Sequence, residues 1–463
     1  IRNGSCGRTP IFTCADSVYY SCNVYLLIKQ KQAMKKILFI VTLIFWANVR
    51  AQQPLSVNDA INIAMKSNFD ILIARNSADM DRINNTRSNA GMLPTISLNG
   101  NSTYSYNNVY QKTSSESINK YPTQSTTNIG ADAELSWTLY DGGKMFITKN
   151  KLAEIQALGE LQFKSNVLDV FYKVTAAYYD IVKQEQELRS INEVINYNKQ
   201  RVLIAETGFK AGQINKTELL QAQIDLNVAT ENAINQKNAI SEAQKTLNSL
   251  LGCDAATLYD VSDSIPESTV PERNEVLLKL ESCNTDILAY KKQQEVAKLA
   301  LKETQKGYYP TLKFQGGYYL SHITNSEGAT LRNNTNGIQL GGTLSVPIYN
   351  FGETKRKVSL AKADLLSTGY NLDNIRLQVK TDVLNAYTYF DNQQQLLQIE
   401  RENCKLAKEN LEISLKRLQL GQTTSLEVHQ AQESYMESLT RLINFEYNLK
   451  VSETKIKQLI SNL

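Results

Sequence analysis

Four short segments of this 463-residue chain recur downstream in the same order, and that recurrence restricts the fold more than any other feature. Asn68-Phe69-Asp70-Ile71 returns as Asn284-Thr285-Asp286-Ile287, and Gly91-Met92-Leu93-Pro94-Thr95 returns as Gly307-Tyr308-Tyr309-Pro310-Thr311, both 216 residues on. Asp141-Gly142-Gly143-Lys144 matches Asn350-Phe351-Gly352-Glu353 at a distance of 209. At the same distance, Gly212-Gln213 with Glu218 and Gln221-Ala222-Gln223 matches Gly421-Gln422 with Glu427 and Gln430-Ala431-Gln432. One such match could arise by chance, but four in order mean that one unit is written twice. The spacing changes once, by seven residues, across the polar stretch Tyr104 to Thr127, which places a surface loop there. Each half reads as a helix, a proline, two strands, a glycine turn and two long helices joined by a second glycine turn. The halves are set at residues 52–270 and 271–463.

The N-terminal segment has a different grammar. Met34, Lys35 and Lys36 precede an apolar run from Ile37 to Ala47, and Val49 and Ala51 suit a cleavage site. Residues 34–51 therefore read as a signal peptide, with Gln52 as the mature start, and residues 1–33 as an upstream extension without a clear role. The run is shorter than the roughly 20 residues a spanning helix needs. No other apolar stretch approaches that length, which argues against a helical membrane protein but not against a β-barrel. Beyond the extension the cysteines are Cys253, Cys283 and Cys404, an odd and scattered set that makes no disulfide framework. A formal charge of +4 without any dense basic run argues against a nucleic-acid partner.

Two segments alternate with the period of a strand. Ala131, Ala133, Leu135, Trp137 and Leu139 share one face, against Asp132, Glu134, Ser136 and Thr138. Ile338, Leu340, Leu344, Val346 and Ile348 do the same against Gln339, Gly341, Thr343 and Ser345. The strands that follow Pro94 and Pro310 alternate more weakly. Each segment is about ten residues, the length of a tilted strand crossing a bilayer. Trp137, Tyr140, Tyr308, Tyr309 and Tyr349 gather at strand ends, as an interfacial belt would. Alternation alone also fits a sandwich with one wet face. Four strands cannot close a membrane barrel, so strands that span must be pooled by several copies.

The helices are long. No proline interrupts Lys144 to Gly208 or Glu353 to Leu420. Val167, Val170, Val174, Ala177, Ile181, Leu188, Ile191, Ile195 and Val202 recur at spacings of three, four or seven and form one narrow apolar stripe. Shorter return helices are expected over Thr217–Leu251 and Ser425–Leu463, and first helices over Ser56–Ala90 and Arg273–Lys306. Two short helices placed end to end would line one long helix.

Catalytic chemistry has no foothold. His322 and His429 are the two histidines, and neither has metal-ligand spacing around it. Gly142-Gly143-Lys144 lacks the remainder of a phosphate loop and reads as a strand-to-helix turn. No cofactor, metal or enzymatic activity is expected.

From Leu55 to Leu459 the residues resemble the TolC-type outer membrane factors. The resemblance rests on LSVNDAINIAMKSNFDI (55–71), the proline-started strands, the Tyr-Asp-Gly-Gly turn and the two Gly-x5-Glu-x2-Gln-Ala-Gln segments. It implies an α+β membrane protein: a long antiparallel α-helical barrel continuous with a transmembrane β-barrel, internally duplicated, with four strands per protomer of a homotrimer. It implies a passive exit duct in the outer membrane of a Gram-negative bacterium. Cargo would arrive from a proton-driven or ATP-driven inner-membrane transporter through a periplasmic adaptor, for efflux or for type I secretion. On this reading Phe209, Gly212, Gln213, Leu418, Gly421 and Gln422 form the adaptor-docking tips, and Glu427, Gln430, Glu218 and Gln221 the periplasmic gate. The family places acidic residues six and nine positions after the second tip glycine; here the second is Gln430, which departs from a double acidic ring. Leu135, Trp137, Leu139, Leu340, Leu344 and Val346 would face outer-membrane lipid. A periplasmic adaptor is the competing reading, but it calls for one hairpin flanked by β-rich domains.

Overall fold

A computed structural model of the chain describes residues 55–461, apart from 113–117 and 262–263. The expected signal peptide (34–51) and upstream extension (1–33) lie outside the described residues. The first half contains α1 (Val57–Ser67), α2 (Phe69–Asn84), β1 (Thr95–Lys112), β2 (Ile118–Tyr140), α3 (Lys144–Lys210) and α4 (Lys216–Leu251). The second half repeats the order with α5 (Arg273–Cys283), α6 (Thr285–Gln305), β3 (Thr311–Asn325), β4 (Arg332–Ser345), α7 (Glu353–Gln419) and α8 (Ser425–Leu459). Both α3 and α7 run for 67 residues, a length of about 100 Å.

The single first helix expected in each half is two helices. Asn68 and Asn284 adopt extended backbone conformations that stop one helix and start the next. Asn68 Oδ1 accepts from the Ile71 amide at 3.1 Å, and Asn284 Oδ1 accepts from the Ile287 amide at 2.9 Å. Each capping side chain also donates outward: Asn68 Nδ2 to the Leu250 carbonyl at 2.7 Å and Asn284 Nδ2 to the Leu459 carbonyl at 2.8 Å. Two orphan groups of neighbouring helix ends are met by one amide. The ends of α4 and α8 are thereby fixed onto the α1–α2 and α5–α6 joints. Gly252, just past α4, has φ +67°, and an added Cβ would stand 2.3 Å from the Ser67 carbonyl oxygen. Ser461 takes the same left-handed conformation after α8.

Apolar packing follows the hairpins. One core joins Val174, Tyr178, Ile181 and Val182 of α3 to Leu247 and Leu251 of α4 and to Ala60 and Ala64 of α1. Its counterpart joins Val379, Val383, Tyr387 and Phe390 of α7 to Ile287 and Ile456. Tyr178 and Tyr387, 209 residues apart, each donate at 2.8 Å to a carbonyl at the start of their half, Leu55 and Pro271. Toward the tip the buried line of α3 leaves the expected stripe. Ile191, Ile195 and Val202 are only partly covered, while Ser190, Val194, Asn198, Arg201 and Ala205 are buried.

The sheet is antiparallel, in the order β1-β2-β3-β4. Its strands have 18, 23, 15 and 14 residues rather than about ten. The seven-residue excess is accordingly a longer β1–β2 hairpin and not an irregular loop. At the other end β4 stops at Ser345, opposite Thr311. Pro347 cannot donate to a ladder, so Val346 and Ile348 lie beyond the strand to which they were assigned. Among the described residues, no helix is long and apolar enough to cross a membrane.

Two consequences are testable. Replacing Asn68 with Ala removes a cap and strands the Leu250 carbonyl, and is expected to cost about 2 kcal/mol; thermal unfolding followed by circular dichroism measures it. Acid should also loosen the second hairpin. Burial alone pushes the Glu453 carboxyl up, but Lys450 and Lys457, each 2.7 Å away, outweigh it and hold the carboxyl below its ordinary range. Glu400 is held low in the same way, burial being outweighed by Ser438, Arg441 and Asn403. A depressed carboxyl contributes stability above the ordinary value of about 4.3 and loses it as pH falls through the depressed one. Glu453→Gln should therefore be less stable at pH 7, by about 2 kcal/mol, and show a flatter acid dependence as pH falls below the ordinary carboxyl value.

Candidate functional site

The cross-strand register sorts the sheet residues onto two unlike faces. Ile96, Leu135, Gly316 and Leu340 form one continuous row, and Leu98, Ala133, Tyr318 and Ile338 form the next. Trp137 stands opposite Phe314, and Leu312 opposite Leu344, on the same face. Most of these side chains are uncovered, Leu98 being 83% exposed and Ile338 72%, while Leu135, Leu312 and Phe314 are partly covered. The opposite face carries Ser97, Asn99, Asp132, Glu134, Ser136, Gln315, Gln339 and Thr343. Asn99 Nδ2 donates to Asp132 Oδ2 at 2.9 Å, and Ser321 Oγ bonds Asn128 Oδ1 at 3.2 Å. Along β3 the apolar face runs from Leu312 to Leu320, about 27 Å at 3.4 Å per residue. That height matches the outward band of a membrane barrel, about 25 Å.

Of the strand residues singled out from sequence, Leu135, Trp137, Leu340 and Leu344 lie on this face. Leu139 falls at a register irregularity between Thr138 and Tyr140 and is exposed, and Val346 lies past the ladder. Trp137, Tyr140, Tyr308, Tyr309 and Tyr349 are all exposed around the helix-proximal end of the sheet. Asp141 closes that end by accepting from the Met145 amide at 2.9 Å, which makes Gly142-Gly143 a strand-to-helix turn.

At the far end of the helices both tips close in the same way. Gly212 and Gly421 have φ +70° and +69°, with open space beside them, so the backbone conformation and not crowding calls for glycine. The Gln213 amide donates to the Gly208 carbonyl at 2.8 Å, and the Gln422 amide to the Arg417 carbonyl at 2.9 Å. Phe209, Gln213 and Gln422 are exposed and Leu418 is half-buried. Glu427 sits in the first turn of α8, its amide capped by the Thr424 hydroxyl at 3.3 Å and its carboxylate bonded by Thr423. Gln430 lies one turn further on, also exposed. Val428, buried completely, turns the other way into an apolar cluster with Leu411, Leu415, Ala431 and Tyr435.

The first tip is built differently, and the residues responsible were not singled out from sequence. Arg201 is buried and donates to Asp225 Oδ2 at 3.1 Å and to Ser425 Oγ at 2.9 Å, tying α3 to α4 and to α8. Asn198 Nδ2 donates to the Asp225 carbonyl at 3.1 Å, and Gln221 Nε2 to Asp225 Oδ1 at 2.8 Å. His429 Nδ1 stands 3.5 Å from the same carboxylate. Gln221 and Glu218 are both exposed, and Gln221 bonds the carboxylate of the buried ion pair. Arg201 also lines a cleft of about 970 Å³ between the two tips, with Glu218, Leu418, Gly421 and Ser425. An arginine inside an otherwise apolar spacing was the available signal.

Known proteins share this plan. The family model for outer membrane efflux proteins matches residues 60–253 and 277–462, the two halves in turn. The chain belongs to the outer membrane efflux protein family. It is 21% identical over 402 residues to the outer membrane protein TolC of Salmonella enteritidis, covering 84% of this chain and 78% of that protein. The outer membrane channel CmeC of Campylobacter jejuni superposes with a TM-score of 0.71 at 17% identity, over 88% of this chain and 85% of that one. The CusC channel gives 0.73 at 16% identity, over 87% and 91%. Two hairpins and a membrane-type sheet depart from the single-hairpin adaptor plan.

Breaking the buried pair tests its role. Arg201→Leu alone leaves Asp225 uncompensated and should cost about 3 kcal/mol, while adding Asp225→Leu should recover most of the loss. Thermal unfolding of the two single variants and the double variant provides the comparison.

Proposed function

We propose that this chain is one protomer of a homotrimeric exit duct in the Gram-negative outer membrane, serving an efflux pump or a type I secretion system. One observation carries the reading: a four-stranded sheet with an uncovered apolar face and two open edges continues directly into helical hairpins about 100 Å long. Three copies supply twelve strands, enough to close a barrel and leave no edge in lipid. The face with Asp132 and Glu134 then lines the lumen, and Leu135, Trp137, Leu340 and Leu344 meet lipid. The helices carry the tunnel across the periplasm. Cargo enters at the tips from an inner-membrane transporter, proton-driven or ATP-driven, through a periplasmic adaptor seated on Phe209, Gly212, Gln213, Leu418, Gly421 and Gln422. The duct is a passive conduit and catalyses nothing.

At the entrance Glu427 supplies the gate charge, with Gln430, Glu218 and Gln221 around it. Three copies place a negative ring on the axis, and such rings favour cations. In planar bilayers the channel is expected to prefer cations, and Glu427→Gln should move the reversal potential in a salt gradient toward zero. An unchanged potential removes Glu427 from the gate, and migration as a heat-stable monomer would refute the trimer.

A further inference from the structure

The β1–β2 hairpin rises past the apolar band, and its outward face changes character there. The row above Leu320 contains Ser102, Ile129, His322 and Asn334, and the next contains Tyr104, Thr127, Thr324 and Arg332. The register shifts between Asn107 and Val109 with the extra residue on β2, so alternation along β1 keeps Tyr106, Tyr110 and Lys112 on the same face. Lys120 lies opposite Tyr110, its ammonium 5.8 Å from the ring centroid. Tyr104, Tyr106 and Tyr110 are each more than 60% exposed. From Tyr104 to Tyr110 the face extends about 20 Å along the strand.

The carboxylates are confined to one face, where Lys313 lies opposite Thr343, and the other strand cations lie on the opposite face. Among the described strand residues, both carboxylates, Asp132 and Glu134, fall on the face opposite these tyrosines. Lys112, Lys120 and Arg332 fall on the tyrosine face, all exposed. His322 is held at its base by Asn334 and, at 3.2 Å, by Thr324. Among the described strand residues the face is thus continuous with the lipid-facing band below it, cationic in its ionised groups, and rich in exposed phenol rings.

We propose that this face of the hairpin binds the phosphorylated sugar head of outer-leaflet lipopolysaccharide. Arg332 stands nearest the acyl boundary and pairs with a lipid phosphate, which a guanidinium grips through two hydrogen bonds. Lys120 and Lys112, further out, meet the anionic groups of the core sugars. The tyrosine rings offer flat amphipathic surfaces, apolar toward sugar rings and polar at the hydroxyl. A neutral or zwitterionic headgroup would leave the three cations without partners, and a phosphoglycerol headgroup is too short to reach Tyr110. The seven extra residues of the first half therefore extend a lipid contact and do not merely lengthen a loop.

The proposal rests on the outer-membrane channel reading, and the test separates the two. The purified protein is reconstituted into phosphatidylethanolamine vesicles containing either lipopolysaccharide or phosphatidylglycerol at equal negative charge. Thermal unfolding and ion conductance are measured in both. Lipopolysaccharide should raise the unfolding temperature more than phosphatidylglycerol does. The variant Lys112→Gln/Lys120→Gln/Arg332→Gln should keep its conductance, lose that difference, and bind lipopolysaccharide at least about tenfold more weakly. Wild-type protein with dephosphorylated lipopolysaccharide should behave like the variant. Conductance with equal unfolding temperatures in the two lipids overturns the proposal alone, as does an unaffected variant. Absence of conductance in both vesicles refutes the channel reading beneath it.

Discussion

The two open edges of the sheet govern the rest of the molecule. β1 and β4 each present a row of backbone groups with no strand partner among the described residues. In hydrocarbon each unmet group costs several kcal/mol, and no side chain can repair a whole edge. The apolar face has no cover from the helices either, since Ile96, Leu98, Ile338 and Leu340 are all exposed. Both deficits vanish together when copies join edge to edge in a ring. The helical part must then form a ring as well, because Asp141 and the Gly142-Gly143 turn fix α3 directly to β2.

Duplication makes that ring nearly regular. Asn68 and Asn284 build the same joint, and Tyr178 and Tyr387 the same anchor, so each protomer adds two like hairpins. Regularity ends at the tips. The second is packed with Leu411, Leu415 and Val428, whereas the first holds Arg201 against Asp225. The residues 209 positions beyond Arg201 and Asp225 are Asn410 and Ser434, neither of them charged. A single chain thus carries one apolar and one ionic tip.

Much of this was legible in the sequence because it is periodic. Helix extent at α3 and α7, the turns at Gly212 and Gly421, and the face of Leu135 and Leu340 all follow from spacing. Non-periodic features were not legible. Asn68 looks like any polar residue in a helix until its amide is seen to cap one helix and hold the end of another. The stripe beyond Leu188 drifted because Ser190, Asn198 and Arg201 are buried by hydrogen bonds and not by hydrophobicity. Strand length was underread because polar strands above the apolar band carry no alternation to count, only the Ser, Thr, Asn and Tyr of Tyr104 to Thr127.

A chain that is only 42% hydrophobic nevertheless suits a membrane, and the reason is geometric. Lipid is met by alternate residues of four strands over about 27 Å, a few rows of side chains in all. The long helices separate water from water, so each needs just a seam of apolar contact toward its neighbours. Lys173, Arg189 and Glu193 can occupy the rest of α3 without penalty. On the strands the same freedom ends: a charge on the lipid side near the middle of the bilayer costs about 2–4 kcal/mol. Asp132 and Glu134 are on the other side, and the outward cations Lys112, Lys120 and Arg332 begin only above the last apolar row. Lys313, opposite Thr343, shares the side of Asp132 and Glu134, so among the described strand residues no ionised group lies within the apolar rows.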